Sequence, residues 1–383
     1  MSINVVLLGS TDRQLEELLR AANVTVRTIN AAELTQLAQS SSRLPDALVI
    51  DLRDVEGFPA AVADVKRRHP SLGVVIVASR QDPAVMLEAM RAGVSEWITD
   101  LKQDELERAI ERVADQHIAA GPAAKVFAFI GAKGGVGTTT IAVNIASALA
   151  TVLSSRTLVA DLHLAHGDAS LFLGAEPRFS IVDAIQNPHR LDTAFFRSLV
   201  TKTKAGPDLL ASSDRPVAGA IDPRGVSAVI EFAAKHYEYI VLDVARSDTA
   251  ILDGLGAVSR ITIVANQELA TVRSASRIAA TLRQRYGRDR VQIVVSRYDK
   301  TAEIAREDVA KAVGSSVNHF FPSDYRLAVQ ALNVGRPLVL ENHSRLAGSY
   351  VDFARELAGV KKVQGEQEPK SGGLFDMFGR RRS

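Results

Sequence analysis

The residues most suited to chemistry lie in a glycine-rich segment, GAKGGVGTTT, at positions 131–140. An apolar strand-like run, residues 126–130, precedes this segment, and a helix-forming stretch follows it. A strand, loop and helix in this order point backbone N–H groups at a phosphate chain beside the positive end of the helix dipole. Glycine is needed where a side chain would block the phosphates or could not adopt the backbone angles. The predicted nucleotide-phosphate residues are Lys133, Gly134, Gly135, Val136, Gly137, Thr138, Thr139 and Thr140.

Two aspartates end apolar strand-like runs further along the chain. Asp243 ends YIVLD, where a carboxylate could reach a magnesium ion bound beside the phosphates, although a strand-terminal aspartate could also cap a helix. Asp161 ends LVAD in the same manner. His163 and His166 have a spacing that would suit a metal, but the sequence offers no third ligand beside them. We therefore predict a magnesium-binding role for Asp243 and no metal site at the histidines.

These residues belong to an alternating series of strands and helices that covers residues 125–363. Each crossover helix must cover an apolar strand, so the alternation predicts one doubly wound α/β domain with helices on both faces of a parallel sheet. After the strand that precedes the glycine-rich segment, the predicted strands are Thr157–Ala160, Tyr239–Leu242, Ile261–Ala265 and Val291–Val295. The predicted helices are Thr139–Leu153, Val226–Lys235, Thr271–Tyr286, Glu303–Val313 and Arg345–Leu357.

The first part of the chain, residues 1–120, shows a shorter series of the same kind. Five strand-helix units in this length predict a second doubly wound α/β domain with a flavodoxin-like fold. Its long last helix, Asp104–Ala119, runs into AAGPAA, where Gly121 and Pro122 stop it and mark the domain boundary. The predicted strands of this domain are Ile3–Leu8, Val24–Thr28, Ala47–Ile50, Val74–Ala78 and Trp97–Ile98.

Composition limits the classes of protein. The 383 residues are long enough for two or three domains, and 46% hydrophobic with 23% charged residues is ordinary globular usage. The sequence has no cysteine, no long apolar run and no amino-terminal signal pattern, which predicts a cytoplasmic protein without disulfides or cysteine metal sites. The formal net charge is only +2, so we expect no specific nucleic-acid binding.

The last residues, 364–383, form a separate basic tail. Its first part, GEQEPKSGG, has the composition of a flexible linker. The segment 374–382, LFDMFGRRR, places four apolar side chains before three arginines, which could give weak contact with an anionic membrane surface when a dimer presents two copies. The alternatives are a disordered solubilising end or a segment that docks into a partner's groove.

The glycine-rich segment resembles the deviant Walker A loop of the MinD/ParA family of dimeric ATPases. The resemblance implies that ATP and Mg²⁺ are the cofactors, that Lys133 reaches across a homodimer to the partner's nucleotide, and that Thr139 binds Mg²⁺. Asp161 matches the first carboxylate of the family's Asp-x-Asp segment, so it is a candidate catalytic and Mg²⁺-shell residue. Asp243 matches the Walker B carboxylate and also belongs to the implied Mg²⁺ shell.

Two positions depart from that family's pattern. Thr138 stands where the family has its second P-loop lysine, and the loss of a cation near a phosphate could weaken binding by up to about a thousandfold. His163 replaces the second carboxylate, which helps to position the attacking water, and a neutral imidazole supplies no fixed negative charge. We therefore expect ATP binding with slow or no hydrolysis.

A third resemblance to the family lies near the end of the second domain. FPSD, residues 321–324, together with GRPL, residues 335–338, is similar to the family's Pro-x-Asp and Gly-x-Pro segment, whose first part lies beside the adenine. The resemblance implies that Pro322 and Asp324 contact the nucleotide. Ser296 replaces the family's asparagine after the preceding strand, so base recognition is expected to differ.

The first domain resembles a response-regulator receiver. Asp51 aligns with the phosphoacceptor and Ser79 with the hydroxyl residue after the fourth strand. Phosphorylation needs an acidic pair after the first strand and a lysine after the fifth, but this chain has Gly9, Ser10 and Asp100 at those positions. We therefore interpret the domain as a docking or dimerisation module and Asp51 as a structural remnant.

The combination of the two domains resembles the TadZ/CpaE family of localisation factors for the Tad (Flp) pilus machinery. The resemblance implies a nucleotide-gated homodimer at a cell pole, possible contact with the inner membrane, and binding to a polar landmark or pilus component. Two alternatives stay open. One is an actively cycling positioning ATPase, and the other is a phosphorylation-controlled response regulator with an ATPase-like output.

Overall fold

The computed structural model describes residues 3–360 apart from 10–12, 22–23, 40–43, 56, 71, 120–122, 218 and 342–343, and residues 361–383 lie outside the described part. The described residues form two wholly parallel β-sheets, one of five strands and one of seven. Both sheets are flanked by helices, which gives the α/β fold that the alternating pattern predicts. No helix within the described residues combines the length and the apolar character needed to cross a bilayer.

The five-stranded sheet has the order β2-β1-β3-β4-β5, which is the flavodoxin-like doubly wound order. Its strands are β1 (Asn4–Leu8), β2 (Thr25–Ile29), β3 (Ala47–Asp51), β4 (Gly73–Val77) and β5 (Glu96–Ile98). Its helices are α1 (Arg13–Ala21), α2 (Ala31–Gln39), α3 (Ala60–Arg68), α4 (Pro83–Arg91) and α5 (Gln103–Ala119). Every residue of β3 and β4 is buried, because these strands are covered on both faces by helices and therefore carry continuous apolar runs.

The seven-stranded sheet has the order β12-β11-β10-β6-β9-β7-β8, with β6 at its centre. Its strands are β6 (Lys125–Gly131), β7 (Thr157–Leu162), β8 (Asp208–Leu210), β9 (Tyr239–Val244), β10 (Arg260–Ala265), β11 (Val291–Tyr298) and β12 (His319–Pro322). One apolar cluster packs on each face, so the sheet forms the middle of three layers. The carboxyl ends of β6, β7 and β9 are neighbours and carry the predicted site residues.

Eleven α-helices accompany this sheet in the described part of the chain. They are α6 (Thr138–Thr151), α7 (Ala169–Phe172), α8 (Ile181–Ile185), α9 (Thr193–Leu199), α10 (Pro223–Ala233), α11 (Thr249–Asp253), α12 (Leu269–Tyr286), α13 (Arg306–Val313), α14 (Tyr325–Val334), α15 (Leu338–Glu341) and α16 (Arg345–Ala358). Side chains at several amino termini fix where these helices begin. Asp222, Asp248 and Asp324 each accept a hydrogen bond from a backbone N–H in the first turn of α10, α11 and α14.

The predicted strands agree with observed strands to within a few residues, and two further strands were not predicted. Both of these, β8 and β12, are short and lie at the two edges of the seven-stranded sheet. The edge position explains why β12 can include Pro322, which has no backbone N–H to donate. A short edge strand needs no continuous apolar run, so the sequence carries little signal for it.

In the described part of the chain, ion pairs join the five-stranded unit to the seven-stranded unit. Arg156, just before β7, places Nε 3.4 Å from Oδ2 of Asp46, which lies just before β3, and both side chains are almost completely buried. Arg197 of α9 pairs with Glu111 of α5. The first of these contacts lies at the amino-terminal ends of the strands, which is the edge opposite the glycine-rich loop.

Candidate nucleotide-binding site

The loop between β6 and α6 has the backbone that its glycines predict. Gly135 and Gly137 have φ values of +80° and +87°, in the left-handed region that favours glycine, and Gly137 forms the N-cap of α6. A Cβ built on Gly134, Gly135 or Gly137 would meet no atom of the described chain within 4 Å. The inner side of the loop is therefore open, and its backbone can approach a ligand closely.

The loop borders a cavity of about 580 Å³ at the carboxyl end of the sheet. All eight predicted phosphate residues, from Lys133 to Thr140, line this cavity. Pro322 and Asp324 also line it, so the fold brings the two distant predicted segments together. The cavity lining also has an apolar part, which includes Phe321, Ala328, Val329, Leu332, Leu346 and Tyr350.

Thr139 and Asp243 meet beneath the loop. The Thr139 hydroxyl donates to Oδ2 of Asp243 over 2.6 Å, and the Asp243 side chain is fully buried. The other carboxylate oxygen of Asp243, Oδ1, is buried and has no hydrogen-bond donor among the described residues. Burial, and then the nearby charge of Asp161, raise the pKa of Asp243 to about 7. A buried carboxylate oxygen without a donor is suited to a cation.

Asp161, the candidate catalytic residue, lies beside this pair. Its carboxylate accepts hydrogen bonds from the backbone N–H groups of His163 and Ala169, at 3.0 and 3.1 Å. The Nδ1 atom of His163 lies 3.0 Å from Asp161 Oδ1 and 3.7 Å from Asp243 Oδ2. The hydrogen bond to Asp161 raises the pKa of His163, while partial burial opposes the shift.

Asp161, His163 and Asp243 each offer a ligand atom, and these three atoms lie within 4.8 Å of one another. The cluster corrects the expectation that His163 has no suitable partners for a metal. The partners are the two predicted magnesium carboxylates, which distant strands bring to the same edge of the sheet, whereas His166 is not part of the cluster. We find the predicted Mg²⁺-shell residues together, with an imidazole next to them.

Lys133 lies at the rim of the cavity, with about half of its side chain exposed. Its Nζ lies 3.6 Å from Oε2 of Glu268, the residue that precedes α12. Glu268 also accepts a hydrogen bond from Asn266 over 2.8 Å, and this bond, followed by the charge of Lys133, lowers the pKa of Glu268. Sequence reasoning missed Glu268, because no local motif connects it with a lysine 135 positions earlier.

Ser296 has a structural role at the end of β11. Its buried hydroxyl lies 2.6 Å from the carbonyl oxygen of Val136 and 3.1 Å from that of Ala265. The hydroxyl can donate only one hydrogen bond at a time, so the two carbonyls share it. Ser296 therefore ties the glycine-rich loop to β10.

The predicted receiver residues form a separate site in the five-stranded unit. Asp51 ends β3, and its two carboxylate oxygens accept hydrogen bonds from Nε and Nη2 of Arg53, at 2.9 and 2.7 Å. Ser79 lies nearby, with its hydroxyl 3.4 Å from the Arg53 carbonyl oxygen. Arg53 and Ser79 line a cavity of about 460 Å³ at the carboxyl end of this sheet. The fold thus brings Asp51 and Ser79 to one place, with the Asp51 carboxylate paired to a guanidinium.

Residues 127–330 match the family model described as the CobQ/CobB/MinD/ParA nucleotide binding domain, which is more than half of the chain. This chain belongs to that family. MinD/ParA-type membership agrees with the glycine-rich loop between β6 and α6 and with the aspartate near the end of β9. The family assignment covers the nucleotide-binding unit.

Relatives of this MinD/ParA-type chain include the septum site-determining protein MinD of Escherichia coli, which is 26% identical over 273 residues, or 67% of this chain and 99% of MinD. A ParA family ATPase from Chlorobium tepidum is 28% identical, with a TM-score of 0.55 over 61% of this chain and 99% of that structure. MinD in the Aquifex aeolicus MinC:MinD complex is 25% identical, with a TM-score of 0.54 over 64% of this chain and 100% of that structure. The structure of MinD with Mg-ADP from Pyrococcus horikoshii, at 19% identity and a TM-score of 0.53, shares the fold.

Proposed function

We propose that this protein is a nucleotide-gated dimeric localisation factor that binds ATP and Mg²⁺ between two subunits, hydrolyses ATP slowly or not at all, and positions Tad/Flp pilus assembly at a cell pole. The observation that carries the proposal is the Thr139–Asp243 pair beneath an open glycine loop. It puts a hydroxyl, a carboxylate and a cavity large enough for a nucleotide at one sheet edge.

The residues present fit Mg²⁺ and a nucleoside triphosphate. The loop amides and Thr139 would hold the phosphates and the ion, and Asp243 offers a buried oxygen with no donor among the described residues. The chemistry that Mg²⁺ would supply there is neutralisation of the phosphate charge. The apolar part of the cavity lining, together with Pro322, would hold the base. The MinD of Pyrococcus horikoshii, which was solved with Mg-ADP, supports this choice of ligand.

Slow hydrolysis is supported by two side chains. Thr138 carries no charge to neutralise the phosphates. His163 directs Nδ1 toward the carboxylates of Asp161 and Asp243. An imidazole in this position has no fixed negative charge with which to position an attacking water molecule. ATP would then act mainly as a structural cofactor that holds two subunits together.

The five-stranded unit would supply the docking surface. Arg53 already neutralises the Asp51 carboxylate through two hydrogen bonds, which disfavours its attack on a phosphoryl donor. We therefore propose a receiver-like docking module that recognises a polar landmark or a pilus component. The basic segment 374–382, which lies outside the described residues, would add weak contact with an anionic membrane surface.

The relatives named MinD favour one rival function, an actively cycling positioning ATPase. The two functions differ in turnover and in the fate of the ATP complex. Purified protein should bind ATP with Mg²⁺, associate into dimers in analytical ultracentrifugation, and retain unhydrolysed ATP over many minutes. Rapid phosphate release, above about 1 s⁻¹, would favour the cycling ATPase.

A fluorescent fusion tests the localisation part of the proposal. In pilus-bearing cells the fusion should form polar foci, and deletion of its gene should scatter the pilus assembly components. Foci that move with the division septum, or unchanged pilus components after deletion, would contradict the proposal. A Thr139→Ala variant, which removes the Asp243 partner, should lose the foci if nucleotide gating is required.

A further inference from the structure

The absence of a lysine at position 138 raises the question of which cation faces the phosphates. Among the described residues that line the cavity, the lysines and arginines are Lys133, Arg246 and Arg297. Lys133 is held at the rim by Glu268. Arg297 directly follows Ser296, whose hydroxyl contacts the Val136 carbonyl, and the charge of Arg297 acts on Tyr350. Arg246 is the cation of this group whose guanidinium contacts the backbone of the loop, at Ala132.

Strand register places Arg246 next to the start of the loop. In the parallel pair of β6 and β9, Ile130 is the partner of Val244, so the two chains continue side by side into Ala132 and Arg246. The Arg246 Nη1 atom lies 3.5 Å from the carbonyl oxygen of Ala132. Arg246 therefore reaches the glycine-rich loop from the neighbouring strand.

The contact between the Arg246 guanidinium and the Ala132 carbonyl is weak. A distance of 3.5 Å is at the long end for a hydrogen bond, and the Ser274 hydroxyl donates to the same carbonyl over 2.6 Å. The carbonyl would thus remain satisfied if the guanidinium moved. Arg246 is also exposed, so its side chain can turn into the cavity without breaking packing.

Thr138 and Arg246 approach the same turn of the chain from opposite elements. A Cβ built on Gly131 would lie 2.5 Å from the Thr138 hydroxyl, so the first residue of α6 lies against the end of β6. We propose that Arg246 supplies to the nucleotide phosphates the positive charge that Thr138 lacks. This inference rests on the proposed nucleotide-binding function and assigns a phosphate-binding residue to the same site.

An arginine in this role differs chemically from the missing lysine. Its guanidinium remains charged at any physiological pH, and its planar fork can donate two parallel hydrogen bonds to a phosphate. It would contact the outer phosphates from the β9 side rather than from the first turn of the helix. It should therefore distinguish nucleotides that carry outer phosphates from a nucleoside monophosphate.

The test is a double-mutant cycle between positions 246 and 138 in the full-length protein. Calorimetric titration with a non-hydrolysable ATP analogue, Mg²⁺ and, separately, AMP would give Kd for wild type, Arg246→Ala, Thr138→Lys and the double variant. Arg246→Lys preserves a charge and separates charge loss from misfolding. Arg273→Ala is the matched control, because Arg273 is an exposed arginine of the same unit that does not line the cavity.

We expect Arg246→Ala to raise the Kd for the ATP analogue by about tenfold or more. The Kd for AMP should rise by less than about twofold, since only the outer phosphates lose a cation. In the Thr138→Lys background, Arg246→Ala should raise the Kd for the ATP analogue by less than about threefold, because the lysine replaces the lost charge. Arg246→Lys should keep most of the affinity for the ATP analogue, and Arg273→Ala should change that affinity little.

Equal binding by wild type and Arg246→Ala, or fully additive effects at 246 and 138, would overturn the inference while leaving nucleotide binding intact. Absence of ATP-analogue binding by wild type would instead reject the proposed function, and this inference with it.

Discussion

The Thr139 hydroxyl lies 2.6 Å from Oδ2 of Asp243, so the first turn of α6 is hydrogen-bonded to the end of β9. This relationship joins two of the three residues that the sequence assigns to the magnesium shell, the third being Asp161, and it leaves Asp243 Oδ1 buried without a described donor. A group in this state should respond to pH, because the proton and the metal compete for the same carboxylate.

The first prediction is that Mg²⁺-dependent stabilisation of the nucleotide complex increases between pH 6 and pH 8. The pKa of Asp243 is about 7, so below pH 7 the folded protein holds a proton that Mg²⁺ must displace. Without metal, the stability of the fold depends on pH in the opposite direction. Between about pH 4 and pH 7, Asp243 is protonated in the folded state and ionised in the unfolded state, so the free energy of unfolding falls as pH rises. Thermal melting with ATP, with and without Mg²⁺, at pH 6, 7 and 8 measures both trends. Asp243→Asn should lose the part of the pH dependence that belongs to the carboxylate, and the part that remains measures the other titrating groups, ATP among them.

The second prediction concerns turnover. Wild-type ATP hydrolysis should be well below the ~1–100 s⁻¹ of typical phosphoryl-transfer enzymes, since a phosphate-neutralising lysine and a water-positioning carboxylate are absent. Thr138→Lys combined with His163→Asp should raise the rate more than either change alone. Phosphate-release assays on all four proteins measure this, with Asp161→Asn in the double variant as the inactive control. A fast wild-type rate would show that the catalytic groups are misassigned.

The third prediction is that Lys133→Ala leaves the fold intact and weakens ATP-dependent dimerisation. Lys133 is exposed at the cavity rim and its near partner is the exposed carboxylate of Glu268, so its removal should not disturb packing. Analytical ultracentrifugation with saturating ATP compares it with Lys300→Ala, an exposed lysine of the same unit outside the cavity. Association equal to that of wild type would reject a role for Lys133 across the dimer.

The fourth prediction is that Asp51 does not accept a phosphoryl group. Arg53 holds the carboxylate by two hydrogen bonds, and Gly9 and Ser10 provide no acidic pair for Mg²⁺. Incubation with acetyl phosphate and Mg²⁺ should leave the intact mass unchanged in wild type and in Arg53→Ala. Arg53→Ala should lower the free energy of unfolding by roughly 1.5–3 kcal/mol, because a charge-assisted pair with a buried carboxylate is lost. Phosphorylation of wild type at Asp51 would restore the response-regulator alternative.

Sequence periodicity was sufficient for the parts of the fold whose strands are buried on both faces. Continuous apolar runs such as VVIV, residues 74–77, must be covered by helices, and they predict parallel strands directly. The glycine-rich loop was also predictable, because positive φ at Gly135 and Gly137 is a requirement of the local backbone. The short edge strands β8 and β12 have neither a long apolar run nor a glycine motif, and their positions depend on pairing with β7 and β11.

The contacts that tune the site depend on the tertiary fold and could not be predicted from spacing. Glu268 reaches Lys133, and Arg246 reaches the Ala132 carbonyl, only because β9 and β10 both flank β6 in the sheet. His163 is different, because it lies two residues after Asp161 and directs its ring back to that carboxylate. A polar residue two positions after a strand-terminal aspartate is a local signal, and Arg53 after Asp51 repeats it.

The last prediction concerns the contact between the two sheets. The Arg156–Asp46 pair is nearly inaccessible to solvent, with 1% and 4% of the side chains exposed, and Asp46 also accepts a hydrogen bond from the backbone N–H of Asn4 over 2.8 Å. Removal of one member of a buried ion pair leaves the other charge in a poorly solvated position, which typically costs about 3–5 kcal/mol. Arg156→Ala should therefore destabilise the five-stranded unit even though Arg156 lies in the other unit.

Trp97 provides the measurement, because it is the single tryptophan of the chain and lies on β5 of the five-stranded sheet. In urea, the fluorescence transition of Trp97 should move to lower concentration in Arg156→Ala, by an amount equivalent to roughly 3 kcal/mol. Arg285→Ala is the control, since Arg285 pairs with Asp253 at an exposed surface and the loss should be below about 1 kcal/mol. Asp46→Asn combined with Arg156→Ala should cost less than the sum of the single changes, because the two side chains interact directly. If Arg156→Ala leaves the Trp97 transition where it is in wild type, the pair does not couple the two units, and the docking module folds independently of the nucleotide-binding unit.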